Sequence, residues 1–194
     1  IKTGGKLVIG ARTIAVGGDL SIRMSNAPGD GLVMTVAGGE VVVEGDATFS
    51  TGVAQDGAST EGYLTAGTIR LSGKFDQRHE SSETDDTFIS TGTKVVFEGT
   101  SAQTIAFQDG GATDSRFHDV EFLVSTSTTS NWASTGTVTI PSGVTVSTSP
   151  DAWLTNMTIT GGIFDLNSDL DVSGAVLVQS SGRLDCASDC TFRG

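Results

Sequence analysis

Hydrophobic and polar residues alternate in short runs from one end of the chain to the other, and glycine closes most of the runs. Lys6–Ile9, Thr13–Val16, Asp19–Met24, Leu32–Val36 and Glu40–Glu44 open the pattern. Thr68–Leu71, Lys94–Phe97, Thr104–Phe107, Thr137–Ile140, Met157–Thr160, Gly162–Leu166 and Ala175–Gln179 continue it. A period of two belongs to a strand with one face buried, and the Gly, Asn and Asp residues between runs supply turns. No window combines helical periodicity with a cap and a stop. The expectation is an all-β chain.

The runs also echo one another. Ile14-Ala15-Val16-Gly17-Gly18-Asp19-Leu20-Ser21-Ile22 returns as Val42-Val43-Glu44-Gly45-Asp46-Ala47-Thr48-Phe49, and then as Gly67-Thr68-Ile69-Arg70-Leu71-Ser72-Gly73-Lys74-Phe75. A fourth form is Gly162-Ile163-Phe164-Asp165-Leu166-Asn167-Ser168-Asp169-Leu170-Asp171-Val172. Each is apolar-x-apolar, a Gly or Asn turn, then apolar-x-apolar again. Such units recur at solenoid spacing, and roughly 20–25 residues per coil predicts eight to nine coils. The fold class expected is a parallel β-helix, or β-solenoid, with strands about 4.8 Å apart in successive coils. A β-sandwich also uses short strands and frequent turns, but it does not predict recurring turn grammar. The residues expected to point inward are Ile14, Leu20, Val42, Phe49, Ile69, Leu71, Val96, Ile105, Val120, Ile159, Phe164, Leu166 and Leu177.

Two polar stretches interrupt the rhythm, near residues 76–86 and 125–134, and read as loop excursions from a single domain spanning 1–194. Both ends fall in mid-pattern, so the sequence reads as a segment of a longer chain or a filament subunit.

Composition agrees with a repetitive sheet. Glycine stands at 26 residues and proline at 3, and Ser with Thr make roughly a quarter of the chain, well above ordinary usage. The regular Val, Ile, Leu and Phe positions separate it from a Gly- and Ser-rich disordered linker. Aromatics are only 6%, which suggests an interior filled by aliphatic stacks. A net charge of −12 and a pI near 4.3 argue against nucleic acid and anionic membranes as partners. No apolar run approaches the roughly 20 residues that span a bilayer as a helix.

The central segment carries a resemblance. Phe97-Glu98-Gly99-Thr100-Ser101-Ala102-Gln103-Thr104-Ile105 precedes Phe117-His118-Asp119-Val120-Glu121-Phe122, and Pro141-Ser142-Gly143-Val144-Thr145-Val146 and Gly162-Ile163-Phe164-Asp165-Leu166 follow. This order resembles the degenerate repeats of secreted bacterial parallel β-helix surface proteins of the adhesin and autotransporter-passenger type, across roughly residues 90–185. There a Gly-x-x-x-Gln-x-Ile coil is followed by a Phe-x-(Asn)-apolar coil and a Gly-Val coil. Asp119 stands where the pattern often has Asn, which leaves a stacked Asn ladder open at that corner. The resemblance implies a right-handed helix, an extracellular or cell-surface location, and an adhesive or scaffolding role.

The Gly-His-Gly and Arg-x-Lys elements of β-helix polysaccharide hydrolases do not occur. The two histidines, His79 and His118, stand in Arg78-His79-Glu80 and Phe117-His118-Asp119, and His118 reads as a corner-packing residue. Adjacent Asp85 and Asp86 point to opposite faces of an extended strand and cannot flank one bond without a turn. No catalytic residue is assigned. No cofactor is expected except Ca²⁺, for which Glu80, Glu83, Asp85 and Asp86 gather oxygen donors in one loop. Asp165, Asn167, Asp169 and Asp171 alternate elsewhere but match no calcium motif. Trp132, within a Ser/Thr-rich stretch, is the candidate exposed ligand-stacking aromatic, while Trp153 reads as core. Thr137-Val138-Thr139 and Thr158-Ile159-Thr160 are too few for a ranked ice-binding array, and Asn156-Met157-Thr158 is a lone glycosylation sequon.

Cys186 and Cys190 are the only cysteines. Four positions apart on a straight strand they lie about 13 Å from each other, beyond disulfide reach. A turn at Ala187-Ser188-Asp189 brings them close enough for a local disulfide; the alternative is two buried thiols. Taken together, the residues point to a non-catalytic structural or adhesive solenoid, a stalk, fibre or filament building block. Its expected partners are itself end to end, flanking coils, or glycans and a cell surface. A carbohydrate-active or glycan-binding β-helix is the alternative.

Overall fold

The computed structural model describes residues 5–24, 31–51, 60–79 and 87–194. Among them there is no α-helix, and every strand pairing is parallel. The strands stack in three rows, an arrangement consistent with a parallel β-helix.

One row is an eight-stranded sheet of Leu20–Met24, Ala47–Thr51, Phe75–Arg78, Gln103–Phe107, Thr126–Thr128, Thr145–Thr148, Ile163–Leu166 and Arg183–Cys186. A second row runs through Thr13–Val16, Glu40–Val43, Thr68–Leu71, Lys94–Phe97 and Asp119–Phe122 into the second halves of Trp132–Ile140 and Ala152–Thr160, ending at Val176–Gln179. The first halves of those two nine-residue strands belong to a third row. They continue into Leu170–Val172 and Cys190–Phe192. The third row begins with Lys6–Ile9 on Gly31–Met34 and passes through single bridges at Leu64, Ser90, Ile89–Arg116 and Phe117–Ser134.

The echoes seen in the sequence are stacked neighbours. Leu20 pairs with Ala47, Ala47 with Phe75, and Phe75 with Ile105. On the second row Ile14, Val41, Ile69, Val95, Val120, Val138 and Met157 form one inward column. Apolar side chains at alternate positions therefore meet their own kind in the next repeat, and all of this column but Ile14 are buried. This is the packing that makes a strand too short to be stable alone contribute to a continuous core.

Aromatics, not aliphatics, fill the middle of that core. Eight of the nine phenylalanines are buried, and Phe192 is the exception. Phe117 lies at the centre, with ring centroids 5.0 Å from Phe75 and Phe107, 5.7 Å from Phe88, 5.9 Å from Phe97 and 6.4 Å from Trp132. The low aromatic fraction concealed this because nine of the twelve aromatic residues lie inside.

Three expected inward positions differ. Val42 falls on an outward column between Ala15 and Arg70, because Val41 and Val43 take the inward places, and a shift of one residue reverses the face. Val96 is on the same outward column yet is buried. Leu177 pairs with outward Thr158 and is 47% exposed. The remaining ten expectations hold, with Ile14 only partly buried at the edge of the core.

The excursion expected near 125–134 is instead largely sheet, with strands at Thr126–Thr128 and from Trp132 onward. Thr126 and Thr128 take inward places that elsewhere hold aliphatics. The Thr128 hydroxyl is satisfied by Thr148 at 2.6 Å, so a polar run can occupy a strand slot without an orphaned group. The excursion near 76–86 overlaps the strand Phe75–Arg78 at its start; residues 80–86 lie outside the described residues. Cys186 and Cys190 are joined by a disulfide, with Cα atoms 6.4 Å apart. They sit above Leu166 and Leu170, so the bond crosses a corner on the core side of the last repeat.

Candidate functional site

The corners position everything on the outer surface, and they are held by a recurring device. A carboxylate or amide in one repeat accepts the backbone N–H of the equivalent residue in the next. Asp19 Oδ1 accepts from Asp46 at 2.9 Å, and Asp46 Oδ1 from Lys74 at 2.8 Å. At a second corner Asn131 Oδ1 accepts from Asp151, Asp151 Oδ1 from Asp169, and Asp169 Oδ1 from Asp189. At a third, Asp119 Oδ1 accepts from Thr137 at 2.8 Å and Asn156 Oδ1 from Ala175 at 3.0 Å. Asp thus substitutes for Asn at the corner left open by the sequence, since only an acceptor is required. Gly136 accommodates it: a Cβ there would meet Asp119 Oδ1 at 2.2 Å.

The Gly-x-x-x-Gln-x-Ile element is a second staple. Buried Gln103 donates from Nε2 to Glu98 O and, at 3.1 Å, to Leu71 O in the preceding repeat. His118 is half-buried, and its Nδ1 lies 3.2 Å from Thr135 Oγ1, a corner-packing place as expected. On the outward face of the second row, Arg70 bridges Glu40 and Glu98 at 2.8 Å each. Its hydrogen bond to Glu40, helped by one from Thr13, holds the Glu40 carboxyl below its ordinary range.

Trp132 is fully buried against Phe117, Phe122 and Phe164 and cannot offer a stacking face. The outward tryptophan is Trp153. In Ala152-Trp153-Leu154 the flanking residues are buried and Trp153 is half-buried, because a strand sends neighbours to opposite faces. The alternation was present in the sequence, and apolar flanks on both sides were the signal that the residue between them faces out.

Trp153 stands in an outward column above Ala133 and below Asp171 and Thr191. Small Ala133 leaves a cleft of about 140 Å³ beside the indole, lined also by Ala112, Thr135, Thr155, Ser173 and Arg193. A second, more polar cleft of about 270 Å³ opens on the other side, bordered by Asp151, Asp169, Asp171 and Asp189. Arg193 Nη2 bonds Asp171 Oδ2 at 2.6 Å, while Asp171 Oδ1 is shut off from solvent with no hydrogen-bond partner among the described residues.

Elsewhere, Asp109 sits in a turn between Phe107 and Phe117, and burial with the nearby Asp114 charge pushes its carboxyl up. Among the described residues no group of three His, Cys, Asp or Glu side chains comes close enough to hold a metal ion. That covers Asp165, Asp169 and Asp171. The calcium candidates Glu80, Glu83, Asp85 and Asp86 lie outside the described residues. No family model, no curated protein and no solved structure matches the chain.

Proposed function

We propose that the chain is a non-catalytic, extracellular structural and adhesive β-helix, right-handed, of eight to nine coils in one solenoid domain, serving as a building block of a stalk, fibre or filament. The observation that carries the reading is repetition of one corner device from repeat to repeat. Corner carboxylates are engaged by backbone amides of the next repeat, which is a scaffold's use of Asp. The stack also leaves apolar surface at its last strands, where Phe192 and Val178, on the inward columns of Val172 and Ile159, are 50% and 44% exposed. Terminal repeats of a solenoid need such surface covered, and unpaired strand edges favour further strands. The partners in this reading are copies of the chain end to end, or flanking coils of the same fold, and glycans or a cell surface along the sides. No cofactor is part of it.

Light scattering on the 194-residue chain across a concentration series tests the structural part. The expected result is association that grows with concentration and weakens when Phe192 and Val178 are replaced by Asp. A concentration-independent monomer with well-protected amides in both end strands would overturn it.

A further inference from the structure

We infer that the cleft beside Trp153 is a binding subsite for one sugar ring of an uncharged glycan, and that the surface around it rejects acidic glycans. The inference rests on the adhesive half of the proposed function and gives it a place on the molecule.

Trp153 is the one tryptophan whose ring reaches the surface, since Trp132 is wholly buried. Ala133 and Ala112 line the cleft with apolar surface, Thr135, Thr155 and Ser173 line it with hydroxyl-bearing side chains, and the Asp171–Arg193 pair borders it. A flat aromatic face with polar groups around its edge matches a pyranose, whose C–H face is apolar and whose hydroxyls project outward. The cleft, at about 140 Å³, is well below the roughly 300–1,000 Å³ of sites that enclose drug-sized ligands. It suits a single ring of a longer chain lying across the surface.

One further feature narrows the ligand. Asp151, Asp169, Asp171 and Asp189 border the indole against a single Arg193, so the local field is negative and repels uronic acids.

The test uses the full chain and three hexasaccharides as probes: β-1,4-linked glucose, α-1,4-linked glucose and α-1,4-linked galacturonate. Binding is followed by quenching of Trp153 emission and by calorimetry. At least one neutral hexamer is expected to bind in the millimolar range or tighter, and the galacturonate hexamer at least tenfold more weakly. Trp153→Ala should lower neutral-glycan affinity at least tenfold and Trp153→Phe less, with Trp132 emission and circular dichroism unchanged. Binding of neither neutral hexamer, equal binding of the acidic one, or affinity unmoved by Trp153→Ala would each overturn the inference. End-to-end association of Trp153→Ala, read by light scattering, stays as in the parent chain, so loss of glycan binding and failure of the fibre reading are told apart.

Discussion

Replacing Phe117 by Ala probes the centre of the fold most directly. The side chain is fully buried and its ring is surrounded by those of Phe75, Phe88, Phe97, Phe107 and Trp132 at centroid separations from 5.0 to 6.4 Å. Truncation of a buried Phe to Ala costs about 3–5 kcal/mol, depending on how far the surroundings collapse. Here collapse is restricted, because the neighbours are rigid rings held on strands in three different rows. Several edge-to-face pairs are lost as well, each worth about 0.5–1.5 kcal/mol beyond burial in other proteins. A loss near the upper end, about 4–5 kcal/mol, is expected, a large share of the roughly 5–15 kcal/mol that holds a typical domain. Urea titration followed by far-ultraviolet circular dichroism and by Trp132 emission measures it. For an m-value of about 2 kcal/mol/M the midpoint should fall by about 2 M. Leu123→Ala, at a 44% exposed site, is the control and should stay within about 0.5 kcal/mol. A Phe117→Ala loss below about 1 kcal/mol, or no larger than that of Leu123→Ala, would show that the three rows do not share one core.

Two other perturbations follow from the corners and turns. Asp119→Ala removes the acceptor for the Thr137 N–H and should destabilise by about 1–3 kcal/mol, whereas Asp119→Asn keeps an acceptor and should cost well under half as much; chemical denaturation of the pair checks this, and equal losses would refute the ladder. Asp109 has its carboxyl raised by burial and by Asp114, so folding favours its protonated form. Its stabilising contribution is complete below the unfolded value and is lost as pH rises through the raised folded one. Asp109→Asn should therefore stabilise the fold at neutral pH and lose that advantage on acidification; thermal melts from pH 3 to pH 7 measure the difference, and a pH-independent effect would refute the assignment.

Much of the architecture was written in the local pattern. The period-two alternation located Lys6–Ile9, Thr13–Val16, Thr68–Leu71 and Lys94–Phe97 to the residue, and the Gly-Asp turns at Gly18-Asp19 and Gly45-Asp46 turned out to be literal neighbours in one ladder. These features are legible because they depend on the backbone's own periodicity and on residues that make turns. Where a polar run filled strand slots, as at Thr126–Thr128, composition misled, since the satisfaction of Thr128 by Thr148 exists only once the repeats are stacked.

The candidate site divides the same way. Alternation in Ala152-Trp153-Leu154 already contained the direction of Trp153, but its apolar flanks suggested core when read as composition. Trp132 looked exposed because its neighbours in sequence are polar, while its neighbours in space are Phe117, Phe122 and Phe164. Val42 could not be distinguished from Val41 and Val43 until the pairing register was set, because three consecutive valines satisfy either face. By itself, then, the sequence determined that short strands form and where many of the glycine turns fall, both consequences of local backbone geometry. Only the tertiary structure decided which face runs such as Val41–Val43 turn inward, which aromatics share a core and which carboxylates meet a neighbour's amide, because those depend on register between residues a whole repeat apart.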